Sequence, residues 1–382
     1  MAASRPTRIM IVDDSVVIRS LLRSVVCSDA GLEVIGCAAD GASALRSIES
    51  LHPDLVLMDV EMPVMDGLAT LRELRKRGHK MPVIMCSSLT SRGARVTVEA
   101  LASGASDYIA KPSGQSSREA AMQAIAQDLL PRILALTAQP QARPVFPLSG
   151  PHSAPGSSVL PATARIPAQV GSWPRPPIGS DPSVLVIGVS TGGPAALDIL
   201  LPQLPASFPL PVLIVQHMPE LFTRPFADRL NCHCSLRVCE AADGDPVRPG
   251  TISIARGNWH MEVHAGSPPT LHLTQGPLEN HCRPAVDVLF RSAAAVYGAG
   301  VLAVVLTGMG SDGLIGCRIL SRLGAAVLAQ DQATSTVWGM PGAVVNSGLA
   351  SRVLPLRDMA GEILRMVSRT HSEAPALPES VG

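Results

Sequence analysis

The chain has 382 residues, 46% of them hydrophobic, with 31 basic and 31 acidic side chains and a formal net charge of zero. That length suits two or three domains. Zero net charge argues against nucleic acid or an anionic membrane surface as an obligatory partner, since both call for a basic excess. The longest apolar run, Val296 to Leu306, is interrupted by Gly298 and Gly300 and falls short of the ~18 residues a membrane span needs. The apolar start Ile9–Val12 ends in Asp13 and Asp14, unlike a signal peptide. Eight scattered cysteines without a framework spacing point to free thiols and a cytoplasmic location.

Residues 1–135 alternate short apolar strands with helical stretches. Strands are expected at Arg8–Val12, Glu33–Cys37, Asp54–Met58, Pro82–Cys86 and Asp107–Ile109, with helices such as Val16–Val26 and Ala42–Ser50 between them. This alternation implies a doubly wound parallel α/β sheet. A last helix over Ser117–Thr137 is apolar at Ala121, Ile125, Leu129, Ile133 and Leu136. Residues 136–182 change character: about a quarter from Gln139 to Pro182 are proline, with Ser, Gly and Ala between them. Such a segment reads as an extended linker. A second α/β pattern occupies 183–370. Strands are expected at Ser183–Val189, Pro211–Gln216, Thr251–Ala255, Thr270–Leu273, Val301–Thr307 and Ala325–Ala329, and helices at Ala195–Leu201, Ala285–Tyr297 and Leu314–Leu323. Residues 371–382 read as a disordered tail.

Ligands of parallel α/β sheets bind beyond the carboxyl ends of the strands. In the first domain those ends carry Asp13 and Asp14, Asp59, Ser87 and then Lys111. Three carboxylates that close repel one another, so the set calls for a hard divalent cation such as Mg²⁺. With a hydroxyl and an ammonium beside them, the chemistry that fits is phosphoryl transfer to a carboxylate, with Asp59 the central nucleophile. Val12-Asp13-Asp14-Ser15, Met58-Asp59-Val60-Glu61-Met62-Pro63, Asp66-Gly67 and Lys111-Pro112 resemble the receiver domain of two-component response regulators, a flavodoxin-like fold. The resemblance implies phosphorylation of Asp59 by a histidine kinase and Mg²⁺ held by Asp13, Asp14, Asp59 and the Glu61 carbonyl. It further implies Ser87, Tyr108 and Lys111 as switch residues and a cis bond before Pro112.

The second domain opens with a strand, then Gly188-Val189-Ser190-Thr191-Gly192-Gly193-Pro194, then a helix. This is the G-x-S-x-G pattern in its strand–turn–helix setting. A phosphate-binding turn is the alternative, although a dinucleotide fingerprint wants Gly where Ser190 stands. His217 follows directly on Pro211–Gln216, and Asp312 lies in the glycine-rich loop after Val301–Leu306. Together they supply a base and its orienting acid at the same sheet edge. The chain order Ser, His, Asp differs from that of α/β-hydrolases, which implies a separate, convergent fold. Cys232-His233-Cys234 with Cys239 lacks a second ligand pair at zinc spacing.

Val189–Pro194, Val215-Gln216-His217-Met218-Pro219, Arg283-Pro284, Val286–Phe290, Leu306–Gly313 and Trp338–Gly342 resemble the chemotaxis methylesterases. With a receiver in front, the architecture is similar to that of protein-glutamate methylesterases/glutamine deamidases. The resemblance implies Ser190 as nucleophile, His217 as base, Asp312 as its orienter, and the Thr191 and Met309 N–H groups as the oxyanion hole. It implies a monomeric enzyme acting on methyl-accepting chemoreceptors, with a kinase as phosphodonor and no cofactor in the esterase domain. Arg256 stands where the family commonly has Pro, and Gln332 where Glu is usual. Two other readings remain: the same hydrolase in a chemosensory system unrelated to swimming, and a signalling scaffold whose triad is unused.

Overall fold

The computed structural model describes residues 5–111, 117–138 and 181–368. The bond before Pro112, the proline-rich linker and the tail lie outside the described residues. The first α/β unit runs β1 (Thr7–Val12), α1 (Val16–Val26), β2 (Leu32–Ala38), α2 (Gly41–Leu51), β3 (Leu55–Asp59), α3 (Gly67–Lys76), β4 (Val83–Ser87), α4 (Ser91–Ala102), β5 (Asp107–Ala110) and α5 (Arg118–Thr137). Five helices start where a short polar side chain accepts a hydrogen bond from an orphan N–H of the first turn: Ser15, Asp40, Asp66, Thr90 and Ser117. The strands pair in parallel in the order β2-β1-β3-β4-β5, which is flavodoxin-like. The direction of winding reverses between β1 and β3, so Asp13 and Asp59 emerge side by side at the switch point.

The second unit runs β6 (Val184–Val189), α6 (Gly193–Leu200), β7 (Val212–Gln216), α7 (Glu220–Asn231), β8 (Arg237–Glu240), β9 (Thr251–Ile254), β10 (His260–His264), β11 (Thr270–Thr274), α8 (Val286–Tyr297), β12 (Val301–Val305), α9 (Leu314–Arg322), β13 (Ala326–Gln330), α10 (Met340–Asn346), β14 (Arg352–Leu354) and α11 (Leu356–Ser368). Seven strands form one parallel sheet, β14-β13-β12-β6-β7-β9-β8. The central strands are apolar throughout because helices cover both faces. The strand expected at Thr270–Leu273 exists but does not join this sheet. It pairs antiparallel with β10 as a separate hairpin whose outward positions are polar: Glu262, His264, Thr270 and His272. That alternation marks a half-exposed ribbon rather than a buried strand.

The two units share a buried contact. Helix α4 packs on α6 and α7. The Tyr108 ring, 6% exposed, stacks on Phe222 with centroids 4.9 Å apart. Beside it, Thr191 Oγ1 donates to Asp107 Oδ2 at 2.7 Å, and Arg132 Nη1 donates to the same oxygen at 2.7 Å.

Strand β6 lies close under α8. A Cβ at Gly188 would sit 2.4 Å from Val286 Cγ1. Gly188→Ala is therefore expected to cost about 1–3 kcal/mol through overpacking. This is read as a lowered urea midpoint of the second unit's unfolding; an unchanged midpoint would show slack between β6 and α8.

Candidate active site

At the carboxyl edge of the first sheet, Asp13 and Asp59 are buried and Asp14 is exposed. One oxygen from each lies within 4.8 Å of the others. Lys111 Nζ reaches Asp13 Oδ2 and Asp59 Oδ2, both at 2.7 Å. Burial raises the Asp59 carboxyl above its ordinary range, against the opposing pull of Lys111. Burial would lower the Lys111 ammonium, but the two carboxylates outweigh it and hold its pKa up. Three carboxylates face one ammonium, so the pocket retains negative charge and hard oxygen donors, which suits a small divalent cation. Ser87 is buried and donates to the Ser88 carbonyl at 3.2 Å. The Glu61 side chain turns out toward Arg92 at 3.6 Å. Tyr108 is not in this pocket; it lies in the contact between the two units.

The second site is assembled from three neighbouring strands, β12, β6 and β7. Ser190 follows β6 in a tight turn: Gly193 N donates to Ser190 O at 2.7 Å, and Gly192 has φ +79°. A Cβ at Gly193 would meet Gln216 Oε1 at 2.0 Å, so the turn and Gln216 fit only with glycine there. Gln216 Nε2 donates to the carbonyls of both Ser190 and His217, each at 3.1 Å, tying the two chain segments together. His217 N donates to Val189 O at 3.2 Å.

The His217 ring turns its Nε2 to Asp312 Oδ2 at 2.8 Å, and its Nδ1 faces Cys282 Sγ at 3.7 Å. Asp312, 2% exposed, also accepts from Val286 N at 2.6 Å, Gly313 N at 2.9 Å, Asp287 N at 3.0 Å and Asn280 Nδ2 at 2.8 Å. Val286 and Asp287 open α8, so the carboxylate sits on a helix N-terminus, where anions are favoured. Burial would raise the Asp312 carboxyl, yet His217 and these donors hold it below its ordinary value. Burial would lower the His217 imidazole, but Asp312 and Cys282 raise it to about 9. Among the described residues, Ser190 Oγ and the Thr191 and Met309 N–H groups have no hydrogen-bond partner. Ser190, His217 and Asp312 thus stand at the same sheet edge, with the His217 ring bonded to Asp312 and facing Cys282 rather than the Ser190 hydroxyl.

Residues outside the two sites make local structural bonds. Arg283 binds Asn258 Oδ1 and the Gln275 and Gly276 carbonyls, holding loops together. Cys232 Sγ bonds the Asp228 carbonyl while Cys239 Sγ bonds that of Ile252. Sequence reasoning missed Asp107, Gln216, Asn280 and Cys282. Gln216 directly precedes His217 and was within reach as a buried amide at a strand end; nothing local marks the other three.

A receiver fold joined to a parallel α/β domain of the esterase type is the class this architecture defines. Residues 9–123 match the response regulator receiver domain family and residues 185–363 the CheB methylesterase family. A protein-glutamate methylesterase/protein-glutamine glutaminase of Nocardioides sp. is 50% identical over 95% of this chain and 96% of its own. Its counterpart in Trichodesmium erythraeum is 45% identical over 94% and 99%. The solved Thermotoga maritima CheB methylesterase catalytic domain is 40% identical, covering 49% of this chain and 100% of its own, with a TM-score of 0.48. The chain belongs to the protein-glutamate methylesterase/protein-glutamine glutaminase family.

Because the His217 pKa is held above the ordinary ~6.5, the pair's stabilisation is full below that pH and is lost as pH rises through about 9. Asp312→Asn removes the charge that raises it while burial persists. In an NMR titration of the ring, the His217 pKa is expected to fall from about 9 to the ordinary value or below; an unmoved titration would contradict the pairing.

Proposed function

We propose that Ser190, His217 and Asp312 act as nucleophile, general base and orienting acid of a protein-glutamate methylesterase and glutaminase. The observation that carries this is the His217–Asp312 pair at 2.8 Å, set on the strands flanking the one that ends in Ser190. The substrates are methylated glutamate and glutamine side chains of chemoreceptors, and the reaction serves chemosensory adaptation. The working units are a receiver over 1–135 and a catalytic domain over 183–370. Eight free cysteines suit a reducing, cytoplasmic setting.

With Nε2 given to Asp312, Nδ1 is the nitrogen that takes the Ser190 proton. Ser190 Oγ attacks the side-chain carbonyl carbon, and the oxyanion is met by the Thr191 and Met309 N–H groups. Collapse expels methanol, or ammonia from glutamine, with the proton returned by His217. Water, deprotonated by His217, then attacks the acyl-enzyme and frees the carboxylate and Ser190.

In the receiver, Asp59 is the phosphoacceptor and a histidine kinase the donor. Asp13, Asp14 and Asp59 with the Glu61 carbonyl would hold Mg²⁺, which supplies charge neutralisation for the phosphoryl group. Lys111 adds a cation at the same carboxylate, and Ser87 can donate to a phosphoryl oxygen. The receiver holds the esterase down through Asp107, whose carboxylate accepts from the hydroxyl of Thr191, the residue after the nucleophile. Phosphorylation rearranges Ser87, Lys111 and Tyr108, and so loosens the Tyr108–Phe222 and Asp107–Thr191 contacts.

Methanol release from methylated chemoreceptor membranes tests this. Wild type is expected to release methanol faster with a small phosphodonor and Mg²⁺, and Ser190→Ala to lose activity by ~10⁴-fold or more. Methanol release by Ser190→Ala at the wild-type rate would sink the reading. Asp107→Ala is expected to raise activity without donor by about 10-fold or more, the worth of a hydrogen bond to a charged group. No rise would place the restraint elsewhere.

A further inference from the structure

The segment Glu279–Cys282 is a two-residue hairpin turn. Glu279 N donates to Cys282 O at 3.1 Å, and Cys282 N to Glu279 O at 2.8 Å. Its central residues, Asn280 and His281, have φ of 51° and 62°. Tight hairpin turns need positive φ at both centres, and asparagine tolerates the first. The turn is anchored from outside by the Arg291–Glu279 ion pair. It delivers a side chain to each partner of the base–acid pair: Asn280 Nδ2 to Asp312 Oδ1 at 2.8 Å, and Cys282 Sγ to His217 Nδ1 at 3.7 Å.

Asn280 has a second contact. The same Nδ2 donates to Asp287 Oδ2 at 3.0 Å, and Asp287 Oδ1 accepts from Gly316 N at 2.7 Å. Asp287 is 1% exposed. One amide therefore stands between two buried carboxylates that would otherwise repel. Their titrations diverge accordingly: burial and the Asp312 charge raise Asp287, while Asp312 stays low.

Resting on the triad reading above, we propose that Asn280 is a positioning residue: its amide, oriented by Asp287, fixes the direction in which the Asp312 carboxylate faces His217. The Asn280 amide bonds Asp312 and Asp287, not Ser190. It acts by keeping Asp312 Oδ2 turned to the ring while Oδ1 is held. The ionisable groups around the pair are His217, Cys282, Asp287, Glu279, Arg291 and the buried thiol of Cys317. His260, which acts on Glu279, lies one step further out. Among the described residues, only Asp287 shares a hydrogen-bond donor with Asp312, so the effect of Asn280 is read through Asp287.

The test is steady-state methanol release by full-length protein activated with a phosphodonor, across pH. Asn280→Ala is expected to lower kcat by about 10- to 100-fold, the loss of a hydrogen bond to a charge, with KM within about two-fold. Asp312 is then less well held and raises His217 less, so the acid limb of the profile moves to lower pH. Asn280→Ala/Asp287→Asn is expected to recover several-fold of the lost rate, because the repelling carboxylate is gone and an amide donor faces Asp312 again. A simple packing role predicts further loss in the double variant and an unmoved limb; that result, or wild-type kinetics in Asn280→Ala, overturns the proposal. Ser190→Ala, run alongside, separates the two readings. If it retains activity, the triad itself falls; if Ser190 is required and Asn280→Ala behaves as wild type, only the role of Asn280 falls.

Discussion

A buried carboxylate must be compensated, and the second domain is organised around compensating Asp312. A charge that deep costs several kcal/mol unless donors surround it. Here the donors come from four places: the opening turn of α8, the loop that follows β12, the 279–282 turn and the His217 ring. Each fixes an element relative to the others. Helix α8 must point its N-terminus at the loop after β12, and the backbone must approach closely at Gly188 and Gly313, where a Cβ would strike Val286. The energetic demand of one ion therefore sets the packing of α8 against the sheet. That packing in turn sets the edge on which Ser190 and His217 stand.

The same logic operates at the receiver. Asp13 and Asp59 are buried with one ammonium, Lys111, between them, so a change of charge at either carboxylate upsets the balance. Tyr108 connects this end of the sheet to the other domain through its stack on Phe222. Two residues of β5 thus face the esterase, one through a ring and one through a carboxylate. Asp107 is paired with the Arg132 guanidinium as well as bonded by the Thr191 hydroxyl, so it keeps a counter-ion when Thr191 departs. An anchor that keeps its own counter-ion can be released at modest cost, which suits a reversible restraint.

Much of this was legible in the chain. Strand ends carried the acids, the serine and the histidine, because parallel sheets collect functional groups at their carboxyl edge. Polar caps marked the receiver helices. Legibility failed where long-range pairing decides. Thr270–Leu273 was apolar enough to read as a sheet strand, yet its partner is β10. The three- and four-residue strands β14 and β8 carry too little pattern to stand out. Asp107 and Thr191 lie 84 positions apart, and no periodicity links them. Nor does sequence reveal which ring nitrogen of His217 faces Asp312.

That last detail makes the account sharply testable. Two nucleophile candidates flank the pair: the Cys282 thiol, 3.7 Å from His217 Nδ1, and the Ser190 hydroxyl, on the turn after the neighbouring strand β6. Phosphodonor-activated protein treated with a fluorophosphonate can be digested and the adduct located by mass spectrometry. The account predicts a single adduct on Ser190, formed faster as pH rises and His217 loses its proton. An adduct on Cys282, or none on Ser190 under conditions where methanol is released, would contradict it.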